Sequence, residues 1–179
     1  MDPRKIIAAF DAFLAERGLR FEAIVIGGTA LNLLGVVSRT TRDCDVLHPE
    51  IPADIVRAAR DFAAQRRTLG DTLQADWLNN GPASLSKVLP PGWQERLIDV
   101  YQGSAMVLRS LGRLDLLRSK LFGLCDRAAD LGDCIAMAPT EDELRAIEPW
   151  LTEQDGNPDW PEHVLEVLGD LRGRLSHGL

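Results

Sequence analysis

The sequence predicts an α/β protein, in which a small mixed sheet with flanking helices is followed by a helical C-terminal portion. Three observations lead to this fold class. The apolar run 24–26 stops at a glycine pair and continues into a helix-like segment, which is a strand–turn–helix pattern. Two further short runs, 43–47 and 96–101, have the length of strands, and the second alternates apolar and polar residues. From Gly112 onward the apolar residues recur at helical spacing instead.

The first predicted helix begins at Asp2 and Pro3, because aspartate is a good N-cap and proline suits the first helical turn. Gly18 ends this helix. Its apolar face consists of Ile6, Ile7, Phe10, Phe13 and Leu14. The first strand then covers residues 21–26, and a short helix covers Thr29 to Leu34.

A long helix follows the second strand, from Pro52 to about residue 65. The segment 73–78 is compatible with a strand or with a turn of helix. Residues 79–82 and 90–92 are rich in asparagine, glycine and proline and are predicted to be loops. Residues 105–108 are a candidate for a short strand after the third one.

The C-terminal part is predicted to contain several helices. Its first apolar stripe is formed by Leu114, Leu117, Leu121 and Leu124. Residues 128–137 are a candidate for the next helix. Thr140 and Glu143 have the spacing of a capping box, which predicts a helix that ends near Leu151. A last helix is predicted over residues 161–175.

Composition limits the classes of protein that need to be considered. The chain has 179 residues, of which 45% are hydrophobic, and we divide it into an α/β core, residues 1–110, and a helical portion, residues 111–179, packed on that core. The net charge of −7 argues against a protein that coats polyanions, although a local basic patch can still hold nucleic acid. The three cysteines have no zinc-type spacing and indicate reduced thiols in the cytoplasm. No segment is long and apolar enough to predict a membrane span.

Two aspartates give the first indication of chemistry. Asp43 and Asp45 lie two residues apart on the second strand, so both side chains are expected to project from one face. Carboxylates this close repel each other unless a cation neutralises them, and hard oxygen ligands suit Mg²⁺. The alternative is that the two acids pair with Arg39 and Arg42.

A glycine pair provides the second indication. Gly27 and Gly28 lack Cβ atoms at the point where the first strand enters a helix, so their backbone can approach phosphate groups closely. Thr29 adds a hydroxyl donor, and Arg42 adds a positive charge that can steer phosphate. The alternative is that the glycines form only a tight turn.

The ordered pattern of a glycine pair, a helix and Asp-x-Asp on the next strand, here GGTALNLLG and then RTTRDCDV, resembles the nucleotidyltransferase superfamily related to DNA polymerase β. It is closest to the bacterial branch that includes AbiEii-type toxins, and the resemblance covers roughly residues 21–135. It implies a nucleotidyltransferase-type fold in which Asp43 and Asp45 hold Mg²⁺ or Mn²⁺. It further implies that the glycine pair, Thr29 and Arg42 contact the triphosphate of an NTP.

A third carboxylate is usual in this superfamily, and a neighbouring strand supplies it. The resemblance implies Asp99, within RLIDVY, as the third metal ligand or as the base that accepts the proton of the attacking hydroxyl. Asp99 interrupts an apolar strand, where a charge is costly unless it is paired or bound to metal. The alternative is an ion pair with Arg96 or with another basic residue at the sheet surface.

A basic pattern follows in the helical portion. Lys120 lies seven residues before Arg127, so two helical turns place both on one face. With Asp130 and Asp133 they resemble a helix pattern of AbiEii-like proteins, which implies that Lys120 and Arg127 contact nucleotide phosphates. Ala129 departs from that pattern, because a lysine is frequent at its position. The alternative is a solvated helix face with local ion pairs.

The resemblance implies an enzyme that moves a nucleoside monophosphate from an NTP to a hydroxyl of RNA, such as tRNA, or of a protein. It also implies a toxin of a toxin–antitoxin or phage-defence pair, with a cognate antitoxin as partner. The alternative is a nucleotidyltransferase fold that has lost turnover and binds a nucleotide or a partner protein.

Three other hypotheses were weaker. A dinucleotide-binding site lacks its G-x-G-x-x-G pattern, since the glycine pair is followed next by Gly35. Arg172 and His177 match the loose spacing of a ribonuclease motif, which occurs often by chance. Trp77, Trp93 and Tyr101 can offer a surface for base stacking, but aromatic residues of this kind more often belong to a core.

Overall fold

The structure, a computed structural model, describes residues 2–177 and confirms the predicted α/β class. The chain forms two compact units, Met1–Gly112 and Arg113–Leu179. The first unit contains all the strands of the sheet, and the second is helical.

The first unit is organised by one five-stranded mixed sheet. Its strands are β1 (Phe21–Ile26), β2 (Cys44–His48), β3 (Leu78–Asn79), β4 (Ile98–Gln102) and β5 (Met106–Ser110). They lie in the order β3-β2-β1-β5-β4. The β1/β2 and β4/β5 pairs are antiparallel, whereas the β1/β5 and β2/β3 pairs are parallel. The end of β1 and the start of β2 therefore lie side by side at one edge of the sheet.

Three helices accompany this sheet, namely α1 (Pro3–Ala15), α2 (Gly27–Leu33) and α3 (Ala53–Thr68). Asp2 caps α1 through a bond from the backbone N–H of Arg4, as its sequence position predicts. An aromatic cluster joins α1 to α3. The ring of Phe10 lies 5.2 Å from that of Phe62 and 5.1 Å from that of Trp77.

Two tryptophans that were candidates for base stacking belong to the core. Trp77 is fully buried and donates its indole N–H to the carbonyl of Ala59 at 3.1 Å, and Trp93 is also buried. Neither ring is therefore exposed to a nucleotide base. The ambiguous segment before residue 79 ends in the short strand β3, and Trp93–Arg96 forms a 3-10 turn, so the next strand begins later than predicted.

The second unit contains α4 (Arg113–Arg127), α5 (Leu131–Met137), α6 (Glu141–Thr152) and α7 (Trp160–His177). The predicted capping box of Thr140 and Glu143 begins α6. The predicted helix 128–137 begins only at Leu131, because Ala128 and Asp130 have positive φ angles, which interrupt a right-handed helix. Within residues 2–177, no helix is long and apolar enough to span a membrane.

A buried carboxylate on α1 anchors the turn between β4 and β5. The Asp11 side chain accepts hydrogen bonds from the backbone N–H groups of Ser104, Ala105 and Met106, and from the Ser104 hydroxyl. A Cβ atom on Gly103 would lie 2.3 Å from this carboxylate, so glycine is required there. Burial by itself raises the pKa of Asp11, but the hydrogen bonds outweigh it and leave the pKa below its usual value.

Replacing Asp11 by asparagine is expected to lower the free energy of unfolding by about 2–3 kcal/mol, because an amide offers one acceptor oxygen where the turn uses two. The native contribution should be present above about pH 4, the usual pKa of an unfolded aspartate, and should be lost as the pH falls through the lowered pKa of the folded state. Urea denaturation between pH 7 and pH 3 measures both effects. Asp61→Asn, at an exposed position on α3, is the control and should leave stability unchanged.

Candidate active site

The candidate site forms where β1 ends and β2 begins. Ile26 is the residue opposite Asp45 in the antiparallel β1/β2 pair, and Gly27 follows it with a φ angle of 71°. A Cβ atom added to Gly27 would lie 2.6 Å from Oδ2 of Asp45. The Gly27 backbone and the Asp45 carboxylate are therefore in direct contact, and only glycine provides both the conformation and the space.

Two hydroxyl groups hold the chain around Asp43. The Thr29 hydroxyl donates to the Asp43 carbonyl oxygen at 2.8 Å, and Thr41 Oγ1 lies 3.4 Å from both the carbonyl oxygen and Oδ1 of Asp43. Thr29 is 1% exposed. The Thr29 hydroxyl is thus buried and bonded, and it positions Asp43. Its contact with phosphate stays a prediction.

The segment before Asp43 folds back over the second glycine. A Cβ on Gly28 would lie 3.1 Å from Thr41 Oγ1 and 3.5 Å from an Nη atom of Arg39. Arg39 and Arg42 are both exposed. The glycine pair, two half-buried aspartates and two arginines therefore occupy one edge of the sheet, which is a suitable environment for an anionic ligand.

Asp99 does not lie beside the aspartate pair. It is on β4, which is separated from β2 by β1 and β5, so three strand spacings, about 14 Å, lie between Asp99 and β2. Asp99 pairs across the strands with Arg109, at 3.3 Å, and both side chains are largely exposed. The structure does not bring Asp99 to the aspartate pair, because β1 and β5 lie between β4 and β2 in this sheet.

The neighbour that sequence reasoning missed is β3. In the parallel β2/β3 pair, Asn79 lies directly opposite Asp45. Residue 79 had been predicted to start a loop, because its neighbours include asparagine, glycine and proline. The β2–α3–β3 order was the available signal, since a strand after a crossover helix commonly pairs in parallel with the strand before it.

In the second unit, Lys120 is bound by two acids rather than exposed on a helix face. Its ammonium lies 2.9 Å from Oδ1 of Asp130 and 2.8 Å from Oδ2 of Asp133, and the residue is 5% exposed. Burial by itself lowers the pKa of Lys120, but the bonds with Asp133 and Asp130 outweigh it and raise the pKa. The two acids hold the ammonium group in this structure, and its contact with phosphate, which the resemblance implies, stays a prediction. Arg127 lies two turns further along the same helix, as its spacing predicts, but it is exposed whereas Lys120 is buried.

No alternative metal centre is indicated. Residues 2–177 contain no group of three or more histidine, cysteine, aspartate or glutamate side chains that is placed to hold a metal. Cys44 is 1% exposed, and burial together with the charge on Asp45 raises the pKa of its thiol.

Replacing Gly27 by alanine is expected to destabilise the fold and to displace the Asp45 carboxylate. The positive φ angle costs an alanine about 1–2 kcal/mol, and the added Cβ requires Oδ2 of Asp45 to move. The free energy of unfolding and the Mn²⁺ affinity, by electron paramagnetic resonance, measure the two effects.

Gly35→Ala is the matched control. Gly35 has a similar φ angle of 78° but nothing within 4 Å of an added Cβ, so it should show the backbone cost without a change in metal affinity. Equal Mn²⁺ affinity in both variants would show that the contact between Gly27 and Asp45 does not matter for the site.

Comparison with known proteins identifies the family of the chain. A family model described as "Nucleotidyltransferase of unknown function (DUF6036)" matches residues 4–138, which is more than half of the chain. No curated protein and no solved structure shows a significant match. The glycine pair, Asp43 and Asp45 all lie within the matched residues. The chain therefore belongs to this family of nucleotidyltransferases.

Proposed function

We propose that this protein moves a nucleoside monophosphate from an NTP to a hydroxyl group with the help of a bound divalent metal. The observation that carries the proposal is the contact between the Gly27 backbone and the Asp45 carboxylate, with Asp43 two residues earlier in the chain. Family membership supports the reaction class. The donor, the acceptor and the metal are inferred from the chemistry of these residues.

Asp43 and Asp45 would hold Mg²⁺ or Mn²⁺. Two half-buried carboxylates suit Mg²⁺, which is commonly bound by one or two carboxylates together with water and substrate phosphates. Gly27 leaves room for the Asp45 carboxylate, because a Cβ atom on residue 27 would occupy the space next to Oδ2 of Asp45. The metal would supply charge stabilisation to the phosphate oxygens.

In the proposed reaction, a bond forms between the acceptor hydroxyl oxygen and the α-phosphorus of the NTP. The bond from that phosphorus to pyrophosphate breaks, and the hydroxyl proton is released. Gly27 and Gly28 allow the backbone to approach the triphosphate, and Arg42 adds positive charge at the same edge of the sheet. Thr29 keeps the chain at Asp43 in place through its bond to the carbonyl oxygen.

We further propose RNA, with tRNA as the leading case, or a protein side chain as the acceptor. The resemblance to AbiEii-type toxins supports a role as the toxin of a toxin–antitoxin or phage-defence pair, with a cognate antitoxin as partner. The three cysteines are unpaired and buried, which supports a reducing, cytoplasmic setting.

A second candidate function is a nucleotide- or partner-binding module without turnover. The position of Asp99 favours it, because the expected third carboxylate does not lie next to Asp43 and Asp45. The two functions differ in their products, since only the enzyme labels an acceptor.

Thermal unfolding with ATP, CTP, GTP and UTP, each with and without Mg²⁺, tests the proposal. At least one NTP is expected to raise the unfolding temperature only when Mg²⁺ is present. The protein is then incubated with that NTP, labelled at the α-phosphate, and with total cellular RNA and protein. Labelled RNA or protein supports the transferase. A metal-dependent shift without any labelled product favours a nucleotide-binding module. Indifference to every NTP contradicts the transferase and favours a module that binds a partner protein.

A further inference from the structure

We infer that Asn79 is a further residue of the metal-binding site, and that its neutral amide leaves this site dependent on nucleotide for tight metal binding. The inference rests on the proposed function, because it concerns the metal held by Asp43 and Asp45. It adds a residue that the sequence pattern assigned to a loop. It also states that metal binds tightly only together with nucleotide.

The position of Asn79 follows from the pairing of the strands. Asn79 on β3 is the direct partner of Asp45 on β2 in a parallel ladder. Paired residues of neighbouring strands project from the same face, and the strands lie about 4.8 Å apart. Both residues are half-buried. Asn79 is thus one strand spacing from Asp45, whereas Asp99 is three strand spacings from β2.

Hydrogen bonds hold Asn79 in this place. Its Oδ1 accepts the backbone N–H of Gly81 at 2.8 Å, which closes a tight turn at the end of β3. A Cβ on Gly81 would lie 2.9 Å from the same oxygen, so the turn is closely packed. The Asn79 side chain is therefore fixed in position next to Asp45.

The next residue fastens β3 to the end of β2. Asn80 accepts the backbone N–H of Ile51 at 2.8 Å and donates to the carbonyls of Val46 and Pro49, both at 3.0 Å. These bonds join the residue that follows β3 to Val46 within β2 and to the segment that follows β2. The strand β3 has only two residues. The side-chain bonds of Asn80 therefore help to fix the register that places Asn79 opposite Asp45.

The charge of the site has a direct consequence for metal binding. With an amide at residue 79, the site has two carboxylates rather than three, and ligand charge is a main determinant of affinity for hard divalent cations. Phosphate oxygens of the nucleotide would supply the missing negative charge. We therefore expect weak binding of metal alone and much tighter binding of metal with NTP.

Asn79→Asp separates this inference from a role in the turn alone. Aspartate closes the same kind of turn as asparagine, so the fold is retained, but it places a third carboxylate beside Asp45. The Mn²⁺ dissociation constant, measured by electron paramagnetic resonance without nucleotide, is expected to fall at least about tenfold. Without metal, the unfolding temperature of Asn79→Asp should be lower than that of the native protein, because the added carboxylate repels Asp45. Addition of Mn²⁺ should raise the unfolding temperature of the variant more than that of the native protein.

Two control variants complete the experiment. Asn157→Asp makes the same substitution in another turn, where Asn157 Oδ1 accepts the backbone N–H of Asp159, and it should leave Mn²⁺ affinity unchanged. In an Asp45→Asn background, Asn79→Asp should lose its tenfold gain, because the new carboxylate acts together with Asp45.

A change of less than about twofold in Asn79→Asp would overturn the inference, and so would an equal gain in Asn157→Asp or a gain that persists without Asp45. These results differ from a failure of the proposed function. If Asp43→Asn with Asp45→Asn leaves metal-dependent NTP binding intact, the metal site itself is wrongly placed. If Asn79→Asp leaves the Mn²⁺ affinity unchanged while the Asp43/Asp45 double variant abolishes metal-dependent NTP binding, the metal site is correctly placed and Asn79 serves the turn alone.

Discussion

Replacing Asp43 and Asp45 together by asparagine is expected to reduce nucleotidyl transfer by about a thousandfold or more. The charge stabilisation supplied by a bound metal is worth several kcal/mol, and each 1.4 kcal/mol corresponds to about a factor of ten in rate. The fold should remain intact, because the substitution removes two neighbouring like charges. The Thr29 bond also remains, since it uses the carbonyl of Asp43 rather than its carboxylate.

The measurement is transfer of label from the α-phosphate of the preferred NTP, with the unfolding midpoint recorded for each variant. Asp99→Asn is the matched control, because it removes a carboxylate from the same sheet at a position outside the site. It should retain activity. Persistent transfer in the Asp43/Asp45 double variant would show that the chemistry resides elsewhere, and loss of transfer in Asp99→Asn would return Asp99 to the catalytic site.

Replacing Lys120 by methionine is expected to lower the free energy of unfolding of the second unit by about 3–5 kcal/mol. The substitution leaves Asp130 and the almost fully buried Asp133 without the charge that both contact. Removing one member of a buried ion cluster costs more than the cluster contributes as a whole, because the remaining charges stay desolvated. Chemical denaturation, followed by the fluorescence of Trp150 and Trp160, measures this loss.

The triple variant Lys120→Met, Asp130→Asn, Asp133→Asn tests the cause of that loss. It removes the uncompensated charges, so it should recover a large part of the stability lost in the single variant. A lysine that served phosphate binding would behave differently: Lys120→Met would retain the native unfolding midpoint and lose affinity for NTP. That result would restore the role that the sequence pattern suggested.

The placement of acidic and basic residues was the part of the site that depended most on tertiary structure. Asp99 and Lys120 were both assigned from patterns along the chain, and both have other partners in the fold. A strand pattern identifies a strand but not its neighbours, because the order of strands depends on long-range pairing. Asp99 consequently pairs with Arg109. Asn79, a neutral residue that the sequence patterns did not single out, lies beside Asp45.

Lys120 illustrates a second limit of sequence patterns. Its seven-residue spacing from Arg127 predicts a common helix face, and both residues do lie in α4. Beyond the end of α4, however, positive φ angles at Ala128 and Asp130 direct the chain back toward this helix. This reversal brings Asp130 and Asp133 to the lysine. Positive φ angles at an alanine and an aspartate have no clear signature in the sequence, so neither the turn nor the buried ion cluster could be anticipated.

By itself, the sequence determined the α/β class, the helix caps at Asp2 and Thr140, and the local unit in which a strand enters a helix at Gly27. These features depend on residues close together in the chain, where backbone conformation and short-range hydrogen bonds decide the outcome. Only the tertiary structure decided which carboxylates share an edge of the sheet, which cation is neutralised internally and which side chain faces Asp45. Those relations depend on strand order and on burial, which arise from contacts between distant parts of the chain.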